Sequence, residues 1–291
     1  MTINSPAQEK LLIIGCGDIG QRLAHQLDPQ RYHVTGLRRH PPEDLPCLMY
    51  RACDATQAEQ LDAVLASEDF DVVVISMTPA ERSDVGYELA YVQTCRNLVT
   101  GLKCLQQQPR LVIFVSSTAV YSQNDGSWVN EQSPTEPEGF SGKRLLEAEQ
   151  VIQQSGFAHS NIRFSGIYGP GRNRLIEQVK HGRASASPHY TNRIHADDCA
   201  GVLAHLIELQ HRENLADVYL ATDSSPMPMI EVVSWIAGQL GIEHFLSPDA
   251  VNERGNKQIS NQRLLESGYK LRYADFRSGY MQLLSFYSDK N

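Results

Sequence analysis

The chain has 291 residues, 41% hydrophobic and 21% charged, a composition typical of globular proteins and long enough for one large domain or two smaller ones. The formal net charge of −8 leaves no basic surplus for general nucleic-acid binding. No apolar run approaches the roughly 20 residues that span a bilayer, and residues 1–10 are polar with no apolar signal core. The scattered cysteines and histidines indicate free thiols and no metal site. We therefore expect a cytoplasmic protein with neither nucleic-acid nor membrane partners.

Apolar runs alternate with helical patterns along the first part of the chain, which is typical of an α/β, doubly wound parallel-sheet Rossmann fold with helices on both faces. The predicted strands lie at 10–15, 32–37, 47–51, 71–76, 110–117 and 159–165. The predicted helices lie at 18–27, 58–66, 84–105 and from Ser141 onward.

The alternation of predicted strands and helices becomes less regular beyond residue 168, where Gly, Pro, Ser and Arg cluster through residue 193. Helices are predicted again at 196–209 and 228–240, and the last fifty residues are predicted to be irregular. We therefore expect a dinucleotide-binding core at residues 1–168, with returning core elements near 194–222. A small, discontinuous substrate-binding cap is expected mainly from residues 169–291.

A glycine-rich loop, G-C-G-D-I-G, joins the first strand to the first helix. Gly15 allows a tight turn, Gly17 lets a pyrophosphate approach the backbone, and Gly20 lets the helix pack on the strand. Asp18 and Ile19 open the helix, whose free N–H groups and positive dipole end favour phosphate. A plain tight turn is the alternative, but the position between strand and helix favours a dinucleotide site.

The end of the second strand indicates the type of cofactor. An acidic residue there would hold the ribose hydroxyls of NAD, but this chain has Arg38 and Arg39. Arginine binds a 2′-phosphate with paired donors, so we expect NADP to be preferred over NAD. A solvated basic turn is the alternative. Asp54, after the third strand, is expected either to meet the adenine amino group or to cap the following helix.

Three further stretches, VSSTAVY (115–121), RFSGIYGPGR (163–172) and NRIHADD (192–198), follow the glycine loop in this order. With that loop, they resemble the extended short-chain dehydrogenase/reductase superfamily, in its NAD-dependent epimerase/dehydratase group. The pattern is most similar to the atypical, YeeZ-like members. The resemblance covers nearly the whole chain and is more specific for fold than for reaction.

The resemblance implies roles for individual residues. Ser117, or its neighbour Thr118, matches the hydroxyl that polarises a substrate carbonyl or alcohol, although such hydroxyls also satisfy backbone groups at strand ends. Three sets of residues complete the implied site. Ser116 and Gly169 are expected to contact the cofactor. Tyr168 is expected in the turn beside the nicotinamide, and His195 and Asp198 match a pair with a structural role.

The departures from the family pattern concern both the cofactor loop and catalysis. The loop is G-x-G-x-x-G instead of G-x-x-G-x-x-G, and the structural asparagine of the superfamily is replaced near Tyr91. With Lys143 as the family lysine, Gly139 occupies the position of the catalytic tyrosine, and a shift by one pairs Phe140 with Arg144 instead. Neither register provides a phenol to transfer protons.

Lys143 is expected either to bind the ribose and take part in catalysis or to be a solvated surface lysine. A phenol from elsewhere is possible in principle, from Tyr91, Tyr121 or Tyr168, although each is more commonly a packed or capping residue. Our expected catalytic residues are Ser117, Lys143 and Tyr168.

Two functional hypotheses follow. The first is an NAD(P)-dependent oxidoreductase, epimerase or dehydratase, because Ser117, Lys143 and the YGPG turn are present. Its small-molecule substrate would be anionic or sugar-nucleotide-like, since four arginines, at 172, 174, 183 and 193, occupy the loose segment. Ordinary surface charge is the alternative explanation for these arginines. The second is a non-catalytic NADP-binding sensor, which the missing tyrosine favours. We also expect a homodimer through helices 84–105 and 141–155, with an apolar stripe of Tyr87, Tyr91, Leu98 and Leu102.

Overall fold

The structure, a computed structural model, describes residues 8–185, 187–246 and 255–288, with side chains up to residue 285. Residues 1–7, part of the stretch in which no signal segment is expected, lie outside these ranges. The chain divides into two compact units, each described here by itself. Unit 1 comprises residues 1–120, 136–163 and 200–219, and unit 2 comprises residues 121–135, 164–199 and 220–291.

A seven-stranded sheet with the order β11-β7-β5-β4-β1-β2-β3 organises the fold. Its strands are β1 (Glu9–Ile14), β2 (Tyr32–Arg38), β3 (Met49–Ala52), β4 (Val72–Ile75), β5 (Leu111–Ser117), β7 (His159–Phe164) and β11 (Val218–Ala221).

The sheet is parallel, and β1 pairs with β2 on one side and with β4 on the other. The strand order reverses between β1 and β4, which is the switch point where open α/β sheets bind ligands. β4 and the last four residues of β1 are apolar and buried because parallel sheets are covered on both faces. The predicted Rossmann fold is therefore confirmed, and β11 is a strand that the sequence analysis missed.

Helices connect the strands of unit 1. They are α1 (Asp18–Gln26), α2 (Ala58–Leu65), α3 (Asp84–Tyr87), a π-helical turn (Glu88–Gln93), α4 (Thr94–Cys104), α5 (Phe140–Gln153) and α7 (Ala196–Leu209), whose first four residues belong to unit 2. The single long helix predicted at 84–105 is thus interrupted by a π-helical turn. Such turns place one extra residue in the helix and are frequent at functional sites.

Unit 2 combines short strands with four helices in the ranges that the structure describes. The helices are α6 (Arg174–Lys180), α8 (Met229–Leu240), α9 (Gln262–Glu266) and α10 (Phe276–Ser288). The strands pair as β8 (Gly166–Tyr168) with β10 (Arg193–His195), β9 (Tyr190–Thr191) with β12 (Met227–Pro228), and β6 (Trp128–Val129) with β13 (Gln258–Ile259).

An apolar core fills unit 2, where buried residues of α6, α8 and α10 such as Ile176, Ile236 and Phe276 pack together. The prediction that the last fifty residues are irregular is wrong, because α10 contributes Phe276, Tyr280 and Leu283 to this core. Unit 2 comprises residues 121–135, 164–199 and 220–291, whereas the expected cap lies mainly within 169–291. Over the described residues, no helix is long and apolar enough to cross a membrane.

Candidate functional site

The glycine loop lies at the switch point of the sheet, and each glycine is required for a different reason. Gly15 has a φ of +78°, and a Cβ there would lie 2.8 Å from the carbonyl oxygen of Ser76 at the end of β4. A Cβ at Gly20 would lie 2.9 Å from the Sγ atom of Cys16, so α1 packs directly on β1. These are the turn and helix-packing roles that the sequence pattern predicts.

The backbone of the glycine loop is open to a ligand at Gly17. A Cβ at Gly17 would meet only the Gly15 carbonyl, at 4.0 Å, so the backbone is open to an approaching group. Gly17 is also the N-cap of α1, and no side chain caps the first turn. Its N–H groups are therefore available to phosphate oxygens at the positive end of the helix dipole. The Asp18 carboxylate pairs with Arg22 at 2.8 Å, which offsets its repulsion of an anion.

Arg38 and Arg39 end the second strand, as the NADP prediction requires. Arg38 is half-buried, with its backbone paired to Ala52 of β3, and Arg39 is exposed. Neither guanidinium forms an ion pair with a residue in the described ranges, so both can receive an anionic group. Asp54 is held in a local turn, since its Oδ1 accepts from the backbone N–H and the hydroxyl of Thr56, at 3.1 and 2.8 Å.

A buried ionic network lies beneath the end of β5. The Ser116 hydroxyl donates to Oε1 of Glu149 at 2.5 Å, and Arg163 of β7 donates to both oxygens of that carboxylate, at 2.9 and 2.5 Å. All three residues are at least nine-tenths buried. Ser116 was expected at the cofactor, but its hydroxyl is committed to Glu149 and holds α5 against β5.

Sequence analysis did not identify Glu149 and Arg163 as a pair. The available signal was an arginine inside the apolar strand NIRF and a glutamate on the apolar face of α5. Charges in such positions are rarely buried unless they are paired.

Ser117 is better placed than Ser116 to meet a substrate. Its side chain is half-buried, and its Oγ accepts from the backbone N–H of Ala119 at 3.2 Å. The hydroxyl proton remains available for donation to another group. α5 approaches this segment closely, because Gly142 packs against the carbonyl oxygen of Ala119 without room for a Cβ.

The lysine of α5 points away from the strand end. Lys143 is six residues before Glu149, which places it roughly 120° around the helix axis from that carboxylate. Its side chain is exposed, lines a shallow depression with Glu136 and Glu147, and makes no hydrogen bond or ion pair with the described residues. The face that meets β5 carries buried Gly142 and Leu145 instead. The catalytic and ribose-binding roles of Lys143 stay predictions, and this orientation favours the solvated alternative.

Two of the three tyrosines considered as replacement phenols are enclosed. Tyr121 is 2% exposed, and Tyr168 is 4% exposed and stacks on Tyr280 with ring centroids 4.7 Å apart. The Tyr168 hydroxyl lies against Gly279, is buried, and has no hydrogen-bond partner among the described residues. Tyr168 therefore packs inside unit 2 and is not exposed to a reacting group there.

Tyr91 lies in the π-helical turn, between α5 and β5. Its ring meets Phe114 of β5 with centroids 6.1 Å apart, and it contacts Tyr87, whose ring packs edge-on against Phe140 of α5. Burial of the ring raises the pKa of Tyr91, so the phenol stays protonated. Its hydroxyl is not enclosed by the residues described and bonds to none of them. Tyr91 is thus the most available of the three phenols.

His195 and Asp198, the expected structural pair of NRIHADD, both lie in unit 2. The buried Asp198 carboxylate accepts from the Tyr269 hydroxyl at 2.8 Å and from the backbone N–H groups of Arg272 and Tyr273 at 2.8 and 2.9 Å. The His195 ring packs on Tyr273 and Tyr168. Gly169 lies against this pair, since a Cβ there would be 3.3 Å from Nε2 of His195. These residues stabilise unit 2.

Of the four arginines expected to bind an anionic substrate, Arg193 lies apart from Arg174 and Arg183. Arg174 and Arg183 are exposed and line one depression with Glu177 and Gln178. Arg193 is 7% exposed and donates to Thr191 Oγ1 at 2.6 Å, apart from that depression. The four arginines are close along the chain, but β9 and β10 place Arg193 in the interior.

These features define a dinucleotide-binding α/β protein of the extended short-chain dehydrogenase/reductase type, with a second unit following its Rossmann core. The chain belongs to the family described as the RmlD substrate binding domain, which it matches over residues 9–219.

Known proteins resemble the chain over nearly all its length. It is 27% identical over 280 residues to Protein YeeZ of Escherichia coli K12, covering 92% of this chain and 97% of that protein. The structure of a candidate NAD-dependent epimerase/dehydratase from Methylobacillus flagellatus is 36% identical, with a TM-score of 0.80 over 97% of this chain and 100% of that one. The Bordetella bronchiseptica enzyme WbmG is alike in fold, with a TM-score of 0.80 at 16% identity over 99% and 96% of the two chains.

Proposed function

We propose that this protein is an NAD(P)-dependent epimerase, dehydratase or reductase acting on a small anionic, sugar-nucleotide-like substrate. The observation that carries the proposal is the open backbone at Gly17, beside the uncapped first turn of α1 at the switch point. The cofactor, when bound, accepts or donates a hydride. The structure of WbmG, which shares the fold, was solved with NAD and UDP, and this supports a nucleotide-linked substrate.

The residues of this chain have distinct roles in the proposed reaction. Arg38 and Arg39 favour a cofactor with a 2′-phosphate, which is why NADP is the proposed preference. The Ser117 hydroxyl donates a hydrogen bond to the reacting oxygen of the substrate. Glu149 and Arg163 hold α5 and β5 together beneath that hydroxyl.

Proton transfer has to occur without the usual tyrosine. The α5 face that meets β5 carries no phenol, and the Tyr168 hydroxyl is enclosed. Tyr91 is therefore the proposed donor, with a pKa that keeps it protonated. General acid–base catalysis contributes about 10²–10⁴-fold, so a poorly placed donor would leave slow turnover.

A non-catalytic cofactor sensor is the second candidate. The specific observation in its favour is that the α5 face meeting β5 has Leu145 and Gly142, with Lys143 turned to the exposed side. Such a protein would bind the dinucleotide through the same glycine loop and would catalyse no reaction.

Turnover assays separate the two candidates. NADPH or NADP would be incubated with UDP-glucose, UDP-glucuronic acid and small carbonyl compounds, and the absorbance of the reduced nicotinamide would be followed. Epimerisation, which leaves the cofactor unchanged overall, would be followed by chromatography of the sugar nucleotides. Turnover that Ser117→Ala abolishes supports the enzyme, whereas tight cofactor binding with no product from any substrate supports the sensor.

A further inference from the structure

Unit 2 contains a half-buried lysine, Lys257, that has no anionic partner among the residues the structure describes. The Nζ atom of Lys257 donates to the backbone carbonyl of Tyr121 at 2.9 Å and forms no ion pair with any residue in the described ranges. An ammonium group has three donors, and only one is used here. Partly buried charges are normally paired, so this amine lacks the counterion that its environment requires.

The backbone around Lys257 is held from two sides. Asn192 donates to the Lys257 carbonyl at 3.0 Å and accepts from the N–H of Ile259 at 2.8 Å. The adjacent Asn256 accepts from the N–H of Tyr190 at 2.9 Å. The next residues form β13 and pair with β6. The amine is therefore preorganised, which reduces the entropy cost of binding a ligand.

Burial lowers the pKa of Lys257, and no charged group among the described residues opposes that shift. A bound oxyanion would raise this pKa again, because it stabilises the charged form of the amine.

We propose that Lys257 is the anion-recognising residue of unit 2 and binds a phosphate or carboxylate oxygen of the small-molecule substrate. The inference deepens the proposed function, since it rests on unit 2 binding the substrate. A polyanion such as nucleic acid does not fit, because the net charge of the protein is −8. The arginines of the sequence-based cluster do not replace Lys257, since Arg193 is directed to Thr191 and Met229.

Calorimetric titration of four proteins tests the proposal. UDP, UDP-glucuronic acid, glucuronic acid and inorganic pyrophosphate would be titrated into the wild type, Lys257→Gln, Lys257→Arg and Lys270→Gln. Lys270 is an exposed lysine of the same unit and serves as the matched control. We expect Lys257→Gln to weaken binding by about 10-fold or more, with Lys257→Arg partly restoring it and Lys270→Gln unchanged. Weaker binding of UDP and pyrophosphate to Lys257→Gln would identify phosphate as the group that Lys257 binds. Weaker binding of only UDP-glucuronic acid and glucuronic acid would identify carboxylate.

Acylation of lysines, read out by peptide mass spectrometry, gives a measurement independent of the variants. Bound anion should slow acylation of Lys257 in the wild type and leave Lys270 unaffected. The proposal is overturned if no anion protects Lys257, or if Lys257→Gln lowers the melting temperature while every affinity stays the same. Tight NADPH binding without anion protection would defeat this inference alone, whereas anion protection without cofactor binding would defeat the proposed function alone.

Discussion

Glu149 of α5 and Arg163 of β7 form a two-pronged ion pair in the interior of unit 1, and Ser116 donates to the same carboxylate. The pair ties a helix and two strands together near the carboxyl end of β5, next to Ser117. A buried pair of this kind is costly to break because one charge would then be left without compensation.

We expect Glu149→Gln to destabilise the protein by about 3–5 kcal/mol, because it leaves the buried Arg163 guanidinium without its counterion. Urea unfolding followed by circular dichroism would measure the loss. Asp84→Asn is the control, since it breaks an exposed pair with Arg144 and should destabilise the protein far less. Equal losses for the two variants would contradict a stabilising role for the buried pair.

We propose that the end of β2 sets the cofactor preference. We expect the wild type to bind NADPH more tightly than NADH, and Arg38→Ala to weaken NADPH by about 10-fold while leaving NADH nearly unchanged. Calorimetry with both cofactors measures the difference. Equal affinities of the wild type for the two would show that the arginines do not contact a 2′-phosphate.

The two candidate phenols should respond differently to removal of the hydroxyl. Tyr91→Phe should lower any turnover by about 10²–10⁴-fold if this phenol transfers the proton. Tyr168→Phe should leave turnover unchanged and leave stability unchanged or slightly higher, because its buried hydroxyl has no partner among the described residues. Steady-state kinetics of both variants decides between them, and undiminished activity in Tyr91→Phe would exclude the proposed donor.

Asp223 should make the stability of unit 2 depend on pH. Burial raises the pKa of its carboxyl from the ordinary 3.8 to about 7, so the folded protein binds this proton more tightly than the unfolded chain. Stability should therefore fall as the pH rises from about 4 to about 7 and stay level above that.

Asp223→Asn keeps the acceptor for the Ser225 N–H and removes the titration. The variant should match the wild type near pH 4 and be more stable at pH 8, which urea unfolding across this range would show. A wild type that gains stability between pH 4 and pH 7 relative to the variant would contradict the shift.

Dimerisation stays a prediction, and the structure changes the residues on which it rests. Leu98 and Leu102 are fully buried within the monomer, so they cannot form the expected stripe. Val85, Leu89 and Phe140 are the exposed apolar residues on α3, the π-helical turn and α5. Light scattering should show a dimer at micromolar concentration that Leu89→Asp converts to monomer. A monomeric wild type would refute the prediction.

Much of the fold followed from the sequence alone. Buried parallel strands are continuous apolar runs, so β1, β4 and β5 were predicted within one or two residues of their observed ends. The glycine loop could be predicted equally directly, since local backbone geometry requires each of its glycines. The missing phenol was also evident, because no register of α5 provides one.

Only the tertiary structure decided which side chains meet. Ser116 and Ser117 are neighbours in sequence, but alternation along the strand end directs one to Glu149 and leaves the other available. Lys143 and Glu149 lie on one helix, but rotation about its axis separates their faces. Lys257 and Tyr121 are 136 residues apart, and their hydrogen bond depends on the pairing of β6 with β13. Periodicity reports which face of an element is buried, whereas the partner on that face is set by how distant segments pack.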